Sequence, residues 1–154
     1  MRALSTLLAA ALLMGGSAAS LAANDGQMRA NELLHNPDYR EAWSKVVKKQ
    51  ERLPEWVMNL SGTAEQQMTA VTEDGDPYLT GTLCETADSC RSKRLILAAS
   101  LDRKHMYGLL VEVPAGLPAD KSPKSHATSR YLGEPDDGMQ QLLQEELRKD
   151  PNWY

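Results

Sequence analysis

The chain has 154 residues, a formal net charge of −4 and 42% hydrophobic residues. That is enough chain for one hydrophobic core. The acidic balance excludes a nucleic-acid binder, which needs clustered Lys and Arg, and suits a basic partner drawn in by opposite charge.

The N-terminus carries one cation, Arg2. An apolar run from Ala3 to Met14 and then small residues, Gly15 to Ser20, follow it. This is the three-part pattern of a secretory signal peptide. Ser20-Leu21-Ala22 fits the small-x-small cleavage rule, and Ser17-Ala18-Ala19 fits it nearly as well. The apolar run, about 12 residues, is too short to span a bilayer, which takes roughly 20. The expectation is a cleaved signal over residues 1–22 and a single mature domain over 23–154, exported and free of the membrane.

Within the mature part, a short helix is expected over Met28–His35. Asn36-Pro37-Asp38 is a helix start: Asn as cap, Pro at the first helical position, an acid in the first turn. Tyr39, Trp43, Val46 and Val47 follow as an apolar stripe at helical spacing, and Pro54 ends the helix. Leu53 to Met58 is an apolar hinge expected to pack on a sheet. From Gln67 the period becomes two, and Asp74-Gly75 is a hairpin signal. Tyr78–Leu83 is the return strand. Arg94–Leu101 is apolar enough for a central strand, and Met106–Val113 is the next one, stopped by Pro114. Residues 115–124 form a loop, and His126–Leu132 is a fifth strand. Asp137 to Lys149 is helical, with Asp137 as cap and Met139, Leu142, Leu143 and Leu147 as its stripe. The order predicts an α+β domain: a central antiparallel sheet of about five strands packed with an N-terminal and a C-terminal helix.

Candidate chemistry is sparse. His35, His105 and His126 fall at a helix end, a turn and a strand start, with no Ser or Cys nucleophile in a recognisable context. Carboxylate pairs suited to glycoside hydrolysis could come from Glu73, Asp74 and Asp76, or from Glu85 and Asp88, but the first group reads as turn chemistry. No cofactor or metal signature is present, and no enzyme is expected. The Trp residues are core candidates, except Trp153, which with Tyr154 could clip the sheet edge or cover a dimer contact.

Cys84 and Cys90 are the only cysteines. In an exported domain they are most simply one disulfide. The C-x5-C spacing is not that of a redox-active pair, and a zinc site would need two more ligands nearby. Closing this seven-residue loop constrains the unfolded chain by roughly 2–2.5 kcal/mol. The ring encloses Glu85, Thr86, Ala87, Asp88 and Ser89. It is either a tie between neighbouring strands or a rigid finger for insertion into a cleft, since a preorganised loop loses less entropy on binding.

Leu53-Pro54-Glu55-Trp56-Val57-Met58 resembles the LPxWVM segment of the Ivy family, periplasmic inhibitors of vertebrate c-type lysozyme. The order that follows is also similar: a hairpin, a strand entering a short cysteine ring, a basic-apolar strand (Ser92 to Ile96) and a Pro-Asn-aromatic tail, Pro151 to Tyr154. The resemblance implies a periplasmic protein inhibitor, not an enzyme, with some members homodimeric, whose cysteine loop (CKPHDC) enters the lysozyme cleft and meets the two catalytic carboxylates through its His. Here the loop would be Glu85 to Ser89. This ring is one residue longer and holds no Lys, Pro or His; Asp88 alone could stand for the loop aspartate. The other reading is a non-inhibitory paralogue with another envelope partner, such as a lytic transglycosylase, which cuts the same glycan bond with a single catalytic acid. A hydrolase of another kind is a weaker third.

Overall fold

The computed structural model describes residues 28–154. The export signal expected over residues 1–22 lies outside them. The first element is a 3-10 helix, Ala30–His35. Asn36 then caps helix α1, Pro37–Lys48, its side-chain oxygen accepting from the amides of Asp38 (2.9 Å) and Tyr39 (3.4 Å). The expected stripe is the packed face: Tyr39, Trp43 and Val46 are buried and Val47 half-buried, with Ala42 filling the space between. Lys45, Lys48 and Lys49 stay in solvent.

The expected hinge is a single helical turn, α2, Glu55–Met58. Asn59 N and Ser61 N donate to the Glu55 and Trp56 carbonyls at 2.9 and 3.0 Å, and the carbonyls at the end of the turn look to a side chain. The indole of Trp43 donates to the Val57 oxygen at 3.0 Å and the Met58 oxygen at 3.1 Å. Trp43 thus ties α1 to α2 as well as filling the core, and its truncation to Ala would cost about 3–5 kcal/mol.

Five antiparallel strands follow as a meander in spatial order β1-β2-β3-β4-β5: Thr69–Glu73, Asp76–Cys84, Lys93–Ser100, Met106–Glu112 and Thr128–Leu132. The Asp74-Gly75 turn joins β1 to β2, with φ of 49° and 81°. Positive φ at both central residues is what a two-residue hairpin loop with matched twist requires. The sheet is covered on both faces. Leu79, Leu83, Leu95, Leu97 and Leu110 pack toward the N-terminal helices. Ile96, Ala98, Leu109 and Val111 pack toward helix α4, Asp137–Arg148, through Met139, Leu142, Leu143 and Leu147. β3 sits between both layers, so residues 94–100 are all buried. This explains its unbroken apolar run, since alternation is lost when neither face meets water.

Three expectations shift. His126 is not in the fifth strand; Pro123–His126 forms a helical turn, α3, that begins in the expected loop and takes in the first residue of the expected strand, with Pro123 at the permitted first position. β5 therefore begins at Thr128. The cap of α4 is Asp136, not Asp137: its carboxylate accepts from the Met139 amide at 2.9 Å.

Candidate functional site: the Cys84–Cys90 ring

Cys84 ends β2 and is joined to Cys90 by a disulfide. Its backbone is also held from the other side. Thr63 N donates to Cys84 O at 2.7 Å, and Cys84 N donates to Thr63 O at 2.9 Å. This bridge brings Gly62 against the same carbonyl, where a Cβ would lie 2.1 Å from Cys84 O. Only glycine permits that approach.

Inside the ring, Ala87–Ser89 makes one 3-10 turn. The Ser89 hydroxyl accepts from Thr86 N at 2.8 Å and donates to Thr86 O at 3.1 Å. Ser89 N also donates to Thr86 O, at 3.1 Å. The backbone N–H and carbonyl of Thr86 are thus both satisfied within the ring. Thr86, Ala87 and Asp88 are exposed, while Glu85 and Ser89 are half-buried. Glu85 leans back onto β3, where its carboxylate lies 3.0 Å from the Lys93 ammonium. The hydrogen bond and charge of Glu85 push the Lys93 pKa above its ordinary value.

The exit from the ring is anchored too. Ser92 N donates to Ser89 O at 2.9 Å, and Val113 N to Ser92 O at 2.7 Å. Arg94, fully buried at the start of β3, donates to the Arg91 carbonyl at 3.2 Å. It also pairs with Asp150 just beyond α4 and lies under the Trp153 ring, 5.5 Å from its centroid. Burial pushes the Arg94 pKa down, and Asp150 opposes that shift. Sequence reading placed Arg94 only as the start of a strand. A charge opening an otherwise apolar run was the available signal, because a buried charge needs a partner.

The other candidate residues do not assemble. His35, His105 and His126 are exposed on separate elements. Among the described residues no three His, Cys, Asp or Glu side chains are grouped to hold a metal, and no helix is long and apolar enough to cross a membrane. Glu73, Asp74 and Asp76 sit at the opposite end of β2 from the ring. Nine residues of strand put about 26 Å between the two acidic groups, so they form no joint site. Beside the ring, a cleft of about 430 Å³ is floored by Thr80 and Thr82 and walled by Gln66, Gln67 and Asn152.

A helix-flanked antiparallel meander with one stapled, exposed loop at the sheet end defines a small disulfide-bearing α+β domain. The chain belongs to the family described as Inhibitor of vertebrate lysozyme (Ivy), which it matches over residues 38–149. It is 35% identical over 155 aligned positions, 99% of each chain, to the Inhibitor of vertebrate lysozyme of Pseudomonas aeruginosa. It is 52% identical over 148 positions, 94% of each chain, to an uncharacterized protein of the same organism. An uncharacterized protein of Yersinia pestis is 38% identical over 122 positions, 79% of this chain and 78% of its own.

Proposed function

We propose that this protein is an exported, periplasmic inhibitor of c-type lysozyme that acts by inserting the Cys84–Cys90 ring into the enzyme's cleft, without catalytic activity of its own. Family membership supports the inhibitor role. The observation that carries the ring mechanism is the charge layout of the tip: Glu85 is engaged by Lys93 while Asp88 is exposed. A tip with two unpaired acids would be repelled by two catalytic carboxylates. A tip with one can approach a carboxylic acid that is still protonated. Lysozyme's catalytic acid titrates near ~6, and Asp88 would accept its proton in a charge-assisted hydrogen bond. The net acidity of the chain favours encounter with a basic enzyme. The test is lysozyme activity against purified mature protein: residual activity should fall as inhibitor is added, and full activity at large molar excess would rule the proposal out.

The absence of an imidazole between the cysteines favours a second reading. Lytic transglycosylases use a single catalytic acid, which one aspartate at a tip suits better than a pair of carboxylates. Inhibition of a purified transglycosylase, with lysozyme untouched, would decide for it.

A further inference from the structure

The stem of the ring is held from outside the ring. Arg94 has zero exposure and makes three contacts at once. One nitrogen pairs with Asp150, another donates to the carbonyl of Arg91, the residue immediately after Cys90, and the guanidinium plane meets Trp153. The tail is shaped to reach it. Asp150 N donates to Leu147 O at 3.1 Å, Trp153 N donates to Asp150 O at 3.0 Å, and Asn152 N donates to the Asp150 carboxylate at 2.8 Å. One guanidinium therefore joins the central strand, the exit of the ring and the chain after α4.

This arrangement is a poor way to gain stability. The Arg94 Nε is buried with no hydrogen-bond partner, and an unmade buried hydrogen bond costs free energy. Buried ion pairs are often matched or exceeded in stability by apolar residues of similar volume. What an apolar side chain cannot do is hold the Arg91 carbonyl.

We propose that Arg94 is a positioning residue for the ring: with Asp150 and Trp153 it locks the Cys90–Arg91 stem, so that the C-terminal tail fixes the orientation of the exposed Thr86–Asp88 tip. This deepens the reading above, since it concerns the same ring, but its test reads the ring itself and does not need lysozyme.

The experiment is site-resolved amide hydrogen exchange on the full mature chain, comparing wild type with Arg94→Met and Asp150→Asn. The probes are the amides of Thr86, Ser89 and Ser92, which the ring's own hydrogen bonds protect. Leu97 and Leu109, deep in the sheet, report global opening. In Arg94→Met the ring amides should exchange about tenfold faster while Leu97 and Leu109 keep their rates or slow, the signature of local loosening. Trp153 emission should shift to the red as the tail loses its seat. Ring amides that stay at wild-type rates while Trp153 emission shifts would overturn the proposal, as would acceleration only in step with Leu97 and Leu109. Should Arg94→Met not fold, Asp150→Asn carries the same test. It should show a smaller acceleration at the same three amides, and unchanged rates in folded Asp150→Asn would equally overturn it. Where wild type inhibits lysozyme, Arg94→Met should inhibit less.

Discussion

The Lys93 ammonium lies 3.0 Å from the Glu85 carboxylate, so the first strand residue after the ring neutralises the first acid inside it. Glu85 raises the Lys93 pKa, so this group's contribution to stability is fully present below the ordinary lysine value and is lost only in alkali, as pH rises through the folded-state value. Lys93 is therefore charged throughout the neutral range. Lys93→Ala should free Glu85 to face the enzyme's carboxylates and weaken inhibition by about three- to tenfold, because a second like charge enters the same site. Stability should hardly change, as for other solvent-exposed pairs. Inhibition constants and urea midpoints measured side by side check both halves.

Binding through a shared proton fixes the sign of the pH dependence. If Asp88 accepts a hydrogen bond from a protonated catalytic acid, the complex holds that proton more tightly than the free enzyme does. Affinity should then be highest below pH ~6 and fall, by at most about tenfold per pH unit, as pH rises beyond the acid's own pKa. Asp88→Asn should flatten the profile. Calorimetric titration at several pH values, in buffers of different ionisation enthalpy, would detect the proton uptake; a flat wild-type profile counts against the mechanism.

Placing an imidazole at the tip should strengthen the binding of lysozyme. Ala87 is exposed and directly precedes Asp88, so Ala87→His places a His-Asp pair at the tip. A protonated imidazole would meet two carboxylates with the opposite charge, and a gain of about tenfold or more in affinity is expected. The far-ultraviolet spectrum and melting temperature should stay close to wild type. A variant that folds but inhibits no better would indicate that the tip does not reach the catalytic residues.

Gly62 offers a test of the ring's base. In Gly62→Ala the new Cβ would be forced into the Cys84 carbonyl, and because that atom is backbone the strand end must move. The expected cost is about 1–3 kcal/mol, as for overpacking elsewhere, measured by urea unfolding. Inhibition should fall as well, since the ring starts from that carbonyl.

Much of the architecture was legible in local patterns. The Asn36-Pro37 start, the Asp74-Gly75 turn, the apolar run of β3 and the stripe of α4 are each decided by neighbours within a few residues, and each lies where those neighbours put it. Shifts came where two local signals compete. Asp136 and Asp137 are equally good caps, and only the backbone around them selects Asp136. Ser122-Pro123 could begin a helix or continue a loop, and its one helical turn takes His126 out of β5. The two cysteines and their spacing made the ring visible, but its support was hidden. Arg94 and Asp150 lie 56 positions apart, and no periodicity links a strand residue to a tail. Trp153, expected as a clip or a dimer cover, seats on Arg94 and on the core beneath α4.

The hydrogen bonds of the tip close on themselves, Thr86 with Ser89, while its attachments run through Cys84, Glu85 and the stem after Cys90. Side chains at positions 86–88 consequently have little say in folding. Residues 86–88 thus form an exchangeable tip on a frame held by Glu85, Ser89 and the disulfide. If that tip is what meets the partner, substitutions at those three positions should change the partner and leave the fold as it is.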